Sequence, residues 1–276
     1  MFLIELLKAV LFGIVEGITE WLPVSSTGHM ILLDELIALE VSHAFWELFE
    51  VVIQLGAILA VIVLFFGKLN PASRRKTTAE RRGTLRLWGL VILAVLPSAA
   101  VGLLLDDWLD AHFYNYVVVA VALIVYGVAF LLIETLWKNK KARVERVEEL
   151  GWKDALLVGV FQTLAVIPGT SRSGSTILGG RLFGLSRAAA AEFSFYLAIP
   201  TMAGASLLKA VKFFLEGNRL TGTEWMLLAV GSLVAFLVSL LVIRFLMDYV
   251  RRHSFVSFGV YRILLGIVVL LWFWLR

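Results

Sequence analysis

Apolar residues along this chain come in runs longer than the buried helices of a water-soluble domain require. A helix that crosses the hydrocarbon core of a bilayer needs about 20 mainly apolar residues. Residues 87–105, 113–133 and 225–243 contain no Asp, Glu, Lys or Arg and satisfy that condition most clearly. Residues 51–66 become long enough with the preceding Trp-Glu-Leu-Phe-Glu, and residues 193–208 and 255–274 complete the set, the last carrying Arg262. The pattern therefore predicts six membrane-spanning helices. Two further apolar segments, residues 1–33 and 152–178, are interrupted by the polar strings LPVSSTGH and IPGTSRSGST. Non-helical backbone at membrane depth is tolerated only where protein buries it or it lines a wet cavity. Both segments accordingly predict helical hairpins that enter and leave on the same side.

The halves resemble each other weakly. Lys8 to Gly13 and Lys153 to Gly159 each lead into an apolar stretch, a proline (Pro23 and Pro168) and a Ser/Thr/Gly cluster that ends in HMIL or STIL. FEVVIQLGA around Glu50 then parallels AEFSFYLAI around Glu192. Each half supplies one hairpin and three crossings, and an odd number of crossings inverts the second half relative to the first. The expected fold is an all-α polytopic membrane protein: six transmembrane helices plus two re-entrant helical hairpins arranged as an inverted repeat. The chain is read as one membrane domain with halves of about 1–140 and 150–276. Broken helices in such repeats place a site where they meet near the midplane.

Composition and charge sharpen this picture. Of the 276 residues, 60% are hydrophobic and 17% charged, too apolar for an ordinary soluble domain. The absence of cysteine excludes disulfides, thiolate metal sites and cysteine nucleophiles. The N-terminal sequence lacks the basic start and cleavage site of a signal peptide and is expected to remain in the mature fold. A net charge of +4 comes from basic residues in short loops, which membrane orientation explains better than a nucleic-acid partner. Lys68, Arg74, Arg75, Lys76, Arg81, Arg82 and Arg86 crowd one loop, and Lys138, Lys140, Lys141, Arg143, Arg146 and Lys153 another. Two spans separate these loops, so both face the cytoplasm by the positive-inside rule, and an acidic loop of Asp106, Asp107 and Asp110 faces outward. Arg181, Arg187, Arg251 and Arg252 also trace to the inside, which leaves both termini external. The first hairpin then dips from the external face and the second rises from the cytoplasmic face.

The chemistry concentrates at the two interruptions. Glu16 and Glu20, four apart, share one helical face in an otherwise apolar stretch. Carboxylates at such depth are expensive and usually functional. They suit either a divalent cation, Mg²⁺ or Ca²⁺, or a proton-transfer role. Ser25, Ser26, Thr27 and His29 follow Pro23. One serine would suffice as a helix cap, whereas paired hydroxyls beside an imidazole suggest nucleophilic or acid–base work. Ser26 and His29 compete as nucleophile, and their three-residue spacing lets one activate the other. In the second string Arg172 stands among Ser171, Ser173, Ser175 and Thr176, with Gly169 and Gly174 leaving room for backbone amides to approach an anion. Expected catalytic residues are Ser26, His29, Glu20 and Arg172; expected binding residues are Ser25, Thr27, Ser171, Ser173, Gly174 and Thr176. Glu50, Gln54, Glu134, Glu192 and Arg262 are weaker signals, divided evenly between supporting and purely structural roles.

These strings resemble the bacitracin-resistance-type undecaprenyl-diphosphate phosphatases of bacteria. The resemblance is carried by E-x-x-x-E at Glu16 and Glu20, PVSSTGH at Pro23 to His29, PGxSRSxxT at Pro168 to Thr176, FEVVIQLG at Phe49 to Gly56, and EFSF at Glu192 to Phe195. It implies hydrolysis of undecaprenyl diphosphate to the monophosphate carrier and inorganic phosphate, at the outer face of the cytoplasmic membrane. It also implies dependence on a divalent cation and a homodimer embedded among membrane lipids. The competing expectations are a lipid-carrier transporter or flippase, which inverted repeats also suit, and an intramembrane serine protease using Ser26 and His29.

Overall fold

A computed structural model of the chain describes residues 2–113, 115–138 and 140–275, without the side chains at 106, 107 and 109–111. The described residues fold into helices α1 (Phe2–Thr19), α2 (Ser26–Ile37), α3 (His43–Leu64), α4 (Phe66–Leu69), α5 (Thr78–Phe113) and α6 (Tyr116–Leu136). The second half follows with α7 (Trp152–Thr163), α8 (Arg172–Leu182), α9 (Arg187–Leu215), α10 (Gly222–Arg252) and α11 (Val256–Trp274). The long helices begin at polar caps that satisfy otherwise orphaned amides. Ser42 accepts from Phe45 N, Asn115 from Val118 N, Ser186 from Ala189 N and Thr221 from Glu224 N.

Six of these helices are long and apolar enough to cross a membrane: α3, Thr78–Leu105 of α5, α6, α9, α10 and α11. They match the six predicted spans one for one, so the chain is a multi-pass membrane protein. The expected acidic loop is drawn differently, because the α5 backbone remains helical through Phe113. The side chains of Asp106, Asp107 and Asp110 lie outside the described residues.

Besides the four-residue α4, the shorter helices are α1, α2, α7 and α8, which are held between the long ones. α1 packs against α10 and α2, whereas α7 packs against α5 and α8. α3 and α9 pack together at the centre, and α6 pairs with α11. Without a hydrophobic drive between helices in lipid, such contacts depend on close approach at small residues. A Cβ on Gly13 would lie 2.6 Å from the Gly231 carbonyl of α10, and one on Gly159 would lie 2.2 Å from the Ala94 carbonyl of α5. Ion pairs pin other crossings. Buried Glu134 of α6 binds Arg187 of α9 and, at 3.5 Å, Arg181 of α8, while Lys68 of α4 reaches Glu192 of α9 at 2.6 Å.

The tightest crossing yields a stability prediction. A Cβ at Gly56 would lie 2.0 Å from the Ser232 carbonyl, forcing α3 and α10 apart, whereas one at Gly204 would meet nothing within 4 Å. Gly56→Ala is expected to destabilise the protein by about 1–3 kcal/mol, read as a lower midpoint in thermal unfolding from detergent micelles. Gly204→Ala should leave the midpoint in place.

Candidate active site

The segments between α1 and α2 and between α7 and α8 end in the same unusual backbone turn. Among the described residues, Ser25 and Ser171 are the non-glycine residues at positive φ, +74° and +70°, and each is the N-cap of the helix that follows. Such a conformation costs a serine roughly 1–3 kcal/mol. Part of that is offset by the cap bond: Ser25 Oγ accepts from Gly28 N at 3.3 Å and Ser171 Oγ from Gly174 N at 3.1 Å. The turn aims the next side chain inward, and that side chain is Ser26 in one case and Arg172 in the other.

These two side chains meet on one carboxylate. Ser26 Oγ donates to Glu20 Oε2 at 2.9 Å, and Arg172 Nη2 donates to Glu20 Oε1 at 2.8 Å. The guanidinium also donates through Nη1 to the Ser194 carbonyl at 2.7 Å and to Ser194 Oγ at 3.1 Å. It stands 5.8 Å over the ring of fully buried Trp21. Glu20, Ser26 and Arg172 thus form a buried chain of charge-assisted hydrogen bonds between helices distant in sequence, the strong class of such bonds.

Glu16, one turn back, is 1% exposed and its Oε1 has no hydrogen-bond partner. It interacts electrostatically with Glu20, Glu50 and Arg172. A buried carboxylate oxygen left unsatisfied is costly and calls for a cation or a proton. Among the described residues, no three acidic or histidine side chains group to hold a metal. Magnesium-type ions commonly take one or two carboxylates and complete their shell with substrate phosphate oxygens and water. Glu16, with its spare oxygen, and Glu20 beside it fit that mode.

The other expected residues lie around this cluster. His29 makes no hydrogen bond to Ser26. Its Nδ1 lies 2.7 Å from the Ser25 carbonyl and its Nε2 2.7 Å from the Tyr261 hydroxyl of α11. Ser173 Oγ bonds Ser171 Oγ and the Leu22 carbonyl, and Thr176 Oγ1 bonds the Arg172 carbonyl and Ser194 Oγ. Ser25, Ser171, Ser173, Gly174 and Thr176 therefore build the two turns and join them. The Gly174 amide, expected to face an anion, is already taken by the Ser171 cap. Thr27 sits partly exposed in the first turn of α2.

Arg262 of α11 proves more important than its sequence signal. It is fully buried, donating through Nη1 to the Pro23 carbonyl at 3.1 Å and through Nη2 to the Gly169 and Thr170 carbonyls at 2.8 and 2.9 Å. Its guanidinium lies 5.3 Å over the Tyr126 ring. A Cβ on Gly174 would come within 3.0 Å of Arg262 Nη1, so glycine there admits the arginine. Ser194, Trp21 and Tyr261 were not singled out by sequence reasoning. Ser194 lies inside the EFSF string, which is the one signal that pointed to it.

The chain matches the bacitracin resistance protein BacA family over residues 9–268. It is 56% identical over 269 residues to an undecaprenyl-diphosphatase of Streptococcus thermophilus, covering 98% of this chain and 93% of that protein. An undecaprenyl-diphosphatase of Limosilactobacillus fermentum is 55% identical over 271 residues, covering 98% of each chain. One of Enterococcus faecalis is 53% identical over 275 residues, covering 100% of this chain and 99% of its own. With a match running almost end to end, this chain belongs to the bacitracin resistance protein BacA family.

Proposed function

We propose that this protein is an undecaprenyl-diphosphate phosphatase that cleaves the terminal phosphate of the lipid by way of a phosphoserine at Ser26. The carrying observation is the single carboxylate of Glu20, shared between the Ser26 hydroxyl and the Arg172 guanidinium. Arg172 occupies Oε1 of that carboxylate while Ser26 occupies Oε2. A terminal phosphate drawn to Arg172 competes for the guanidinium and releases Glu20 to accept the Ser26 proton, so substrate binding switches on the nucleophile. The Ser26 Oγ–P bond then forms as the bridging P–O bond breaks, and prenyl monophosphate leaves with the proton that Glu20 took from Ser26. Water attacks the phosphoserine with Glu20, ionised again, taking its proton, and Glu20 returns that proton to Ser26 Oγ as inorganic phosphate departs. Arg172 opposes the charge that develops on the phosphoryl oxygens throughout. A carrier of lipid diphosphate would need Arg172 but has no use for a serine already bonded to a carboxylate.

Within this proposal Glu16 and Glu20 would be the residues that hold a Mg²⁺ or Ca²⁺ ion. Bound there, a hard cation supplies charge neutralisation to the phosphate oxygens. The unsatisfied Oε1 of Glu16 supports that assignment.

The proposal also treats α1–α2 and α7–α8 as re-entrant hairpins of an inverted repeat. Supporting this are identical residues 146 positions apart: Ala9 and Ala155, Gly13 and Gly159, Ser25 and Ser171, Gly28 and Gly174, Ile31 and Ile177, Leu32 and Leu178. The packing agrees, because α1 meets α10 as α7 meets α5, and α5 and α10 hold matching places in the two halves. Loop charge then puts the first hairpin on the external side, where the site would meet lipid diphosphate released outside the cell. A homodimer is part of the proposal and rests on the family resemblance.

Three outcomes follow. Incubation with a prenyl diphosphate labelled in its terminal phosphate should trap an acid-stable, alkali-labile adduct on Ser26, and Ser26→Ala should lose activity at least about 10³-fold. An acid-labile adduct on His29, with Ser26→Ala still active, would overturn the assignment. Exhaustive chelation should abolish turnover and added Mg²⁺ or Ca²⁺ restore it; full activity after chelation would assign Glu16 and Glu20 to proton transfer alone. Because the chain has no cysteine, single-cysteine labelling can read its orientation. Arg219→Cys should react with an impermeant maleimide on intact cells and Ala72→Cys only after lysis; the reverse pattern would put the site on the cytoplasmic side.

A further inference from the structure

His29 is the one candidate catalytic group that stands apart from the Glu20 cluster, and its surroundings define its state. A carbonyl oxygen can only accept, so the 2.7 Å contact with the Ser25 carbonyl requires Nδ1 to carry hydrogen. That leaves Nε2 as the nitrogen that gains and loses a proton, and the Tyr261 hydroxyl lies 2.7 Å from it. The two rings are parallel to within 6°, with centroids 5.6 Å apart, so the tyrosine fixes both the plane and the outer nitrogen of the imidazole. Tyr261 is 45% exposed, one residue before buried Arg262. The remaining groups around His29 are few. From α11 comes Arg262, the charged side chain that acts on it, and from α6 the neighbour of this turn is apolar Leu123.

We propose that Tyr261 is a positioning residue for the phosphatase reaction: its hydroxyl holds His29 as the Nδ1–H tautomer and, because it occupies Nε2, is the group through which that nitrogen gains and loses its proton. This rests on the phosphatase reading above. The hydroxyl is well suited because it can serve both protonation states. It donates to Nε2 of the neutral ring and accepts from Nε2–H of the charged ring, so the imidazole keeps its orientation as it titrates. A phenylalanine would preserve the packing and lose only this bond. The bond to a neutral acceptor favours the neutral form, so its loss makes His29 easier to protonate.

Tyr261→Phe in the full-length protein in nanodiscs, assayed with a prenyl diphosphate, tests this directly. The variant is expected to keep KM within about twofold, lose about tenfold in kcat, and move the His29-dependent limb of its pH–rate profile up by about half a unit to one unit. Nitrogen-15 spectra of histidine-labelled protein, with His29 identified through His29→Gln, should show an Nδ1–H ring in the unsubstituted protein and mixed tautomers in Tyr261→Phe. An unchanged pH profile, or a pure Nδ1–H ring in Tyr261→Phe, would overturn the proposal. The spectra are read without substrate. Failure of the unsubstituted protein to release phosphate would therefore remove the phosphatase reading, while the tautomer measurement still decides whether Tyr261 holds His29.

Discussion

Two breaks in helical backbone, buried in a membrane protein, must have their carbonyl groups satisfied, and Arg262 meets most of that requirement. One side chain binds the Pro23 carbonyl of the first break and the Gly169 and Thr170 carbonyls of the second. Among the described residues its partners are these carbonyls and the Tyr126 ring, with no carboxylate in contact. Burying a cation on dipoles alone is expensive, on the order of several kcal/mol before its hydrogen bonds are counted. The cost is tolerable because the alternative is three carbonyls without donors at membrane depth. The contact joins the two breaks directly. It fixes the distance between the turns, and so the distance at which Ser26 and Arg172 meet on Glu20.

The two turns share one backbone conformation and present different side chains. Each presents a serine cap at positive φ, a glycine three residues later and one inward side chain. Ser26 and Arg172 occupy the same place in that motif, so the proposed nucleophile and the proposed phosphate-binding cation arise from one backbone solution used twice. An enzyme built this way needs no long loop to bring its groups together, which suits a medium where exposed backbone is forbidden.

Hydropathy made the six crossings legible, because length and apolar content alone decide whether a helix can span. The polar strings were equally visible, since Glu16, Glu20, Ser26, His29 and Arg172 are out of place in apolar surroundings. What sequence spacing could not supply was partnership. Residues 26 and 29 share a helix face, yet the strained turn sends Ser26 toward Glu20 while Ser25 and Tyr261 take both nitrogens of His29. Several serines that suggested an anion cradle are occupied in making the turns. Arg262 was visible as a charge within a span, but its three carbonyl partners come from segments 239, 93 and 92 residues away. Tyr261 gave no signal, because a tyrosine in a membrane helix is ordinary until its hydroxyl is seen against an imidazole.

The departure from symmetry carries the last step. Glu16 and Gln162 are 146 positions apart and hold matching places, each with a buried Oε1 that lacks a partner. Gln162 is otherwise anchored, donating to Ser98 Oγ at 2.7 Å and Thr201 Oγ1 at 3.2 Å. An amide there is neutral at every pH and cannot hold a hard cation as a carboxylate does. The second half has hydroxyls and an amide at the depth where the first has Glu16 and Glu20. In the proposed function a cation would bridge a polyanionic substrate and the two carboxylates, whereas the same substrate beside Gln162 would find no such bridge. The backbone turn occurs in both halves, but the paired carboxylates proposed to hold a diphosphate with its counterion stand in one half, and the arginine that meets them comes from the other.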